Sequence, residues 1–303
     1  MAELWIPITI AAAFLQNVRS ALQKSLKGKL SNGGATYIRF VFGTVFAALY
    51  LLGLMLYLGE SLPGLRASFF LYGGLGGLAQ ILGTATLLLA VSFRTFAVGT
   101  AFVKTEPLQA AVFGFLLLGD SMGAMAALAL LISLAGVVTL ALARSEISVE
   151  ALRTMSMDGG VWAGLASGAL FGIASVCYRG ASLSLVTDGG VFLRAGFTLV
   201  CVILFQTVVM TVYLGLREPG ELKAVRAAWK PGLLVGASGA FASVGWFTAM
   251  TMVNAAYVKA VGQLELVFAL AASWLFFRER ISPLELVGIA AVVGGVLLLV
   301  LET

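Results

Sequence analysis

The chain has 303 residues, 60% of them hydrophobic and 11% charged, with a mean hydropathy of +1.04, whereas ordinary soluble domains are roughly 25% charged. That excludes a soluble globular domain, and it excludes a nucleic-acid reader as well. The basic residues behind the net charge of +5 sit in short gaps between apolar runs rather than on one face.

A hydrocarbon core about 30 Å thick takes roughly 20 apolar residues per helix, and ten segments reach that length. They run Leu4 to Lys24, Gly33 to Leu58, Ala67 to Ser92, Ala97 to Leu118, Ala124 to Ala143, Gly159 to Gly180, Val191 to Leu216, Gly232 to Met252, Tyr257 to Phe277 and Leu284 to Leu301. Met1-Ala2-Glu3-Leu4-Trp5 has no basic run, so the first segment reads as a retained span, not a cleaved signal. The polar stretches Arg144 to Asp158 and Arg217 to Lys230 read as a linker and an interfacial segment, with Trp229 at headgroup level. The expected fold class is therefore all-α integral membrane, with ten transmembrane helices.

The sequence repeats. A shift of 159 residues carries Glu106 onto Glu265, Gly73 and Gly77 onto Gly232 and Gly236, and Gly136 onto Gly295. Residues 1–144 and 159–303 are expected to be two related five-helix repeats joined by the linker 145–158, together one membrane domain. Five is odd, so the second repeat enters the membrane from the opposite side and the pair is inverted, a plan typical of secondary transporters. Lys24, Lys27, Lys29, Arg94, Arg144, Arg153, Arg217, Lys223, Arg226, Lys230, Arg278 and Arg280 all fall after odd-numbered segments, against mainly Arg66 on the other side. By the positive-inside rule those loops are cytoplasmic and both termini are outside.

Glycines at four-residue spacing, Gly160, Gly164, Gly168 and Gly172 in the sixth segment, together with the Gly73/Gly77 and Gly232/Gly236 pairs, predict close helix packing. Pro107 predicts a kink in the fourth segment; its shifted counterpart is Leu266, so the two repeats need not bend alike. Cys177 and Cys201 fall inside apolar runs and read as small buried thiols.

An ionisable group at mid-membrane costs about 2.5 to 3.5 kcal/mol on insertion scales and faces a cavity or a partner. Lys104 and Glu106 in the fourth segment and Glu265 in the ninth meet that description. Because Lys104 maps onto Gln263, one lysine is expected to serve two acids. The trio is either a buried ion pair or a coupling site for protons or a substrate ammonium. Gln16, Asn17, Gln80, Ser243 and Trp246 offer neutral hydrogen-bonding groups and an aromatic near segment centres, suited either to substrate or to interhelical bonds. Tyr178 and Tyr257 read as an aromatic belt, and Lys24, Arg39, Arg194 and Lys259 as snorkelling side chains. The lack of histidine removes His-based metal sites and Ser-His or Cys-His nucleophiles. No phosphate-cradling Gly-x-x-x-x-Gly-Lys-Ser/Thr loop is present. No enzyme activity, cofactor or metal is expected.

Glu106-Pro107, then Gly119-Asp120-Ser121-Met122 thirteen positions after Glu106, then a helix with Gly136, resembles the EamA repeat of the drug/metabolite transporter superfamily. In the second copy Arg278-Glu279-Arg280-Ile281-Ser282 stands where that repeat has Gly-Glu-x-Leu-Ser/Thr, and Gly288 and Gly294-Gly295 continue it. Leu266 in place of proline and Asp120 in place of glutamate depart from the pattern. The resemblance implies a ten-helix exporter of the bacterial inner membrane, nearest in plan to the YddG-type amino-acid exporters. Gln16, Gln80 and Trp246 would face its cavity, and Asp120 and Glu279 would be helix-boundary groups. The expected substrates are neutral or aromatic amino acids moved by alternating access, with the bilayer and protons as further partners. A multidrug exporter of cationic lipophiles and, further off, a membrane enzyme are the alternatives.

Overall fold

A computed structural model describes residues 2–26, 28–92, 101–143, 159–277 and 282–302. Arg94, Arg144, Arg153, Arg278, Arg280 and Glu279, Lys27 and the 145–158 linker lie outside the described residues. Among the described residues there are twelve α-helices: α1 Trp5–Lys24, α2 Asn32–Leu58, α3 Ala67–Ala90, α4 Glu106–Leu118, α5 Ala124–Ala143, α6 Gly159–Ser184, α7 Gly190–Arg217, α8 Pro219–Ala227, α9 Trp229–Met252, α10 Ala255–Gly262, α11 Leu264–Phe277 and α12 Pro283–Glu302. Eight helical stretches among the described residues are long and apolar enough to cross a membrane, the third of them Ala101–Leu118. The chain is a multi-pass membrane protein.

Two of the ten predicted segments fall outside those eight. The first is α1, a full 20-residue helix whose Gln16, Asn17, Arg19, Gln23 and Lys24 dilute its apolar character. The ninth is not one helix: α10 ends at Gly262 and α11 starts at Leu264, with Gln263 between them. The polar stretch 217–230 holds the short helix α8, followed by Trp229, which is half-exposed with the Lys230 ammonium 5.7 Å from its ring.

Helix ends follow local chemistry. Ser31 accepts from the Gly34 amide at 3.1 Å to cap α2, and its hydroxyl donates to Glu218 at 2.6 Å. Gly119 closes α4 with φ of 70°, a left-handed conformation natural to glycine, while the Asp120 amide donates to Gly114 O at 3.1 Å. Asp120 is thus at a helix boundary. Ser282 and Glu285 form a reciprocal box at the start of α12, at 2.8 and 3.2 Å.

The chain divides into two compact units that are not its sequence halves: residues 1–78 with 177–253, and 79–176 with 254–303, the divisions falling inside α3 and α6. In the first unit α9 packs on α1 and α2, and α7 on α2. A Cβ on Gly236 would sit 2.6 Å from the Phe42 carbonyl carbon, and one on Gly245 would sit 2.8 Å from the Ala12 Cβ. In the second unit α5 and α12 pack backbone to backbone. A Cβ on Gly136 would lie 2.6 Å from Val292 N, and one on Gly295 would lie 2.8 Å from Ser133 N. With no hydrophobic drive between helices in lipid, such close approach supplies the contact energy. The remaining faces, for instance Leu49, Leu52 and Leu56 of α2, are exposed apolar surface suited to acyl chains.

Candidate functional site: two broken helices and two crossed ion pairs

The second unit holds a constellation built on helix breaks. Residues 101–103 are helical, Lys104 and Thr105 form a turn, and α4 starts afresh at Glu106. Pro107 stands in the first turn of α4, where its missing N–H removes a donor that has no intrahelical partner in any case. The expected mid-helix kink at Pro107 is therefore a helix start. Its counterpart around Leu266 is interrupted as well, at Gln263, without any proline, so both segments are broken.

Each break frees backbone groups that lipid cannot satisfy. Gln263 answers this with its side chain: Nε2 donates to Lys104 O at 3.0 Å, and Oε1 accepts from the Ser133 hydroxyl at 2.8 Å. Thr105 Oγ1 donates to Phe102 O at 2.6 Å, and Gln109 Nε2 donates to Thr105 Oγ1 at 3.1 Å. The turn lies against α6 where that helix has no side chains. A Cβ on Gly168 would be 3.0 Å from Val103 O, and one on Gly172 would be 3.1 Å from Ala110 N. The glycine ridge of the sixth segment thus accommodates an unwound backbone.

The charges cross between the broken segments. Lys104 pairs with Glu265, the second residue of α11. Lys259, on α10, pairs with Glu106 at 2.8 Å, and the Ser175 hydroxyl reaches the same carboxylate at 3.5 Å. Two sequence expectations change here. Each acid has its own lysine instead of one lysine serving both, and Lys259 is an ion-pair partner rather than a snorkelling side chain. Both glutamates sit in first turns, where the helix dipole favours a carboxylate. The four side chains are 16 to 28% exposed, so they are withdrawn from bulk water yet open to a small molecule or a proton.

Gln80 is half-buried in α3 of this same unit. Gln16, Asn17, Ser243 and Trp246 belong to the first unit. There α1 and α9 run antiparallel, touching at Ala12 and Gly245 and again at Arg19 and Gly239. Gln16, Asn17 and Ser243 fall between those contacts and are half-buried, and Trp246, one residue beyond, is buried. The five neutral candidates are thus divided four to one between the units.

Several side chains read as peripheral are structural. Tyr178 is not a belt residue: it is buried, stacks on Phe247 at 4.5 Å, donates to Gly76 O at 3.1 Å and accepts from Gln206 Nε2 at 3.2 Å. Arg194 donates to Leu185 O and Thr187 O, each at 2.9 Å. Arg179, which no sequence signal singled out, donates to the carbonyls of Met250, Thr251 and Val253 at the end of α9. Lys24 is exposed.

Against this geometry, residues 158–301 match the EamA-like transporter family. The match covers just under half of the chain. That family lies within the drug/metabolite transporter superfamily. None of the curated proteins matches the chain. Of the solved structures, 29 chains match. One, described simply as the crystal structure of a protein, covers 100% of this chain and 98% of its own at a TM-score of 0.72 and 18% identity. That likeness is one of fold, along the whole chain.

Proposed function

We propose that the protein is a secondary transporter that exports neutral or aromatic amino acids across a bacterial inner membrane by alternating access, its residues 1–144 and 159–303 being inverted five-helix repeats. In this reading α1 and the α10–α11 pair complete ten membrane crossings. The observation that carries the proposal is the crossing of two Lys–Glu pairs between two broken segments, with the two glutamates at positions related by the 159-residue shift. Discontinuous membrane helices with charged groups at their half-helix ends are how such transporters hold substrates and coupling ions. The same shift carries α5 end for end onto α12, which supports the repeat.

The chemistry is that of a latch. While ionised, Glu106 and Glu265 hold Lys259 and Lys104. Protonation of either acid removes the attraction of that pair and frees the segment it holds, so a proton loaded on one side and released on the other drives a cycle. A cationic lipophile has to displace a lysine to reach either carboxylate, which favours amino acids over the multidrug reading.

The test is uptake of a panel of labelled amino acids by liposomes containing the purified protein, with and without a pH gradient. Accumulation driven by the gradient is expected for neutral or aromatic members. Glu106→Gln and Glu265→Gln are expected to abolish the gradient's effect and leave exchange intact. Transport of no amino acid sinks the substrate assignment, and unchanged gradient dependence in both variants sinks the coupling.

A further inference from the structure

The first unit contains a charge that the proton latch does not use. Arg39 lies seven residues into α2, about 10 Å along the helix from its start, inside a segment apolar enough to span the membrane. Its Nε and Nη2 are buried and have no hydrogen-bond partner among the described residues. No carboxylate there forms an ion pair with it. The contact that its guanidinium does make is with the Phe40 ring, 4.4 Å from the centroid. Within its electrostatic reach are a second cation, Arg19 of α1, and the Tyr178 hydroxyl, all three in the same unit.

A guanidinium without a counter-charge costs several kcal/mol in a medium without water, and a like charge beside it adds to the cost. Two other arginines of this unit show what structural use looks like: Arg179 and Arg194 spend donors on carbonyls. Arg39 does not. Snorkelling to a lipid headgroup would aim the donors outward, yet Nε and Nη2 are the enclosed atoms, while the side chain as a whole is half-buried, as is Arg19. A planar fork of N–H groups facing inward, with a second cation near it, matches a carboxylate or another oxyanion.

We propose that Arg39, with the charge of Arg19 within its electrostatic reach, is the receptor for the carboxylate of the transported solute. This deepens the transport assignment and rests on it, adding a chemical requirement: the substrate carries an anionic oxygen group, and its recognition lies in the first unit while the Lys–Glu pairs of the second unit handle protons.

The experiment compares three probes, L-phenylalanine, L-phenylalaninamide and 3-phenylpropionate, binding to the full-length protein in phosphatidylcholine nanodiscs, for the wild type, Arg39→Gln and Arg39→Lys. The two carboxylates are expected to bind the wild type about ten- to a hundredfold more tightly than the amide, the worth of a charge-assisted bond. Arg39→Gln is expected to lose that preference, and Arg39→Lys to keep part of it. Without ligand, Arg39→Gln is expected to melt no lower than the wild type, because the charge it removes has no ion-pair partner among the described residues; if it does not fold, Arg39→Lys carries the comparison. Equal affinity for acid and amide in the wild type, a preference that survives Arg39→Gln, or binding of none of the three overturns the proposal. A lipid headgroup as the ligand would appear as a rise in wild-type melting temperature on adding phosphatidylglycerol, absent in Arg39→Gln, with no carboxylate preference, and this too overturns it. If 3-phenylpropionate binds through Arg39 while L-phenylalanine is neither bound nor transported, the amino-acid assignment fails and the carboxylate receptor stands.

Discussion

Charged residues inside apolar runs are the most legible feature of this chain, because each needs a partner or a cavity, and Lys104, Glu106 and Glu265 stand out on that ground alone. Which partner each takes depends on geometry that residue identity does not carry. Lys259 sits near the start of its segment, where a long side chain ordinarily reaches the headgroups; here it reaches Glu106 instead. A usable signal did exist, since each broken segment contributes one lysine and one glutamate, and charge balance allows a crossed pairing. The pair predicts a measurable coupling. Lys259→Met leaves Glu106 without its lysine and is expected to lower stability by about 1 to 3 kcal/mol, and Glu106→Gln in the Lys259→Met background to recover much of the loss. Denaturant unfolding in detergent across the four proteins of the double-mutant cycle measures this, and additive effects would show that the pair contributes nothing.

At the level of the element, long apolar helices and their glycine contacts follow from hydropathy and spacing. The backs of α5 and α12 meet at the glycines that the repeat singles out, Gly136 and Gly295. The helix breaks do not follow in the same way. Proline marks the break before α4, but nothing in Val261-Gly262-Gln263-Leu264 demands one, and the interruption there is sustained by tertiary hydrogen bonds through Gln263. Gln263→Leu is therefore expected to do two things. It leaves the Lys104 carbonyl and the Ser133 hydroxyl without Gln263, at roughly 1 to 3 kcal/mol for a buried polar group stripped of its bond, and it favours joining α10 to α11. Lower hydrogen-exchange protection around Lys104–Gln109, together with lost transport, is the expected readout; unchanged protection would show that the break stands without Gln263. Gln263→Glu keeps an acceptor for Ser133 and is expected to be milder.

For the whole molecule, composition alone identifies a membrane protein, and the 159-residue shift is the sequence sign on which the proposed duplication rests, but each compact unit draws on both sequence halves, and such an arrangement depends on contacts between residues more than 100 positions apart, as between Ser31 and Glu218. The orientation of the halves rests on an odd helix count and on the basic loops, and both can be tested at positions that the 159-residue shift relates. Lys29 and Asp188 are one such pair, Ser61 and Gly220 another, and all four are exposed. In a background with Cys177→Ser and Cys201→Ser, single cysteines at these positions report their side through a membrane-impermeant maleimide applied to intact spheroplasts. Inverted repeats with both termini outside require that cysteines at 188 and 61 react directly, while those at 29 and 220 react only after the membrane is permeabilised. Members of a pair reacting from the same side would mean duplication without inversion. That outcome would also remove the exchange of mirrored conformations from the proposed cycle and leave rocking of two parallel halves about an axis along the membrane normal as its physical basis.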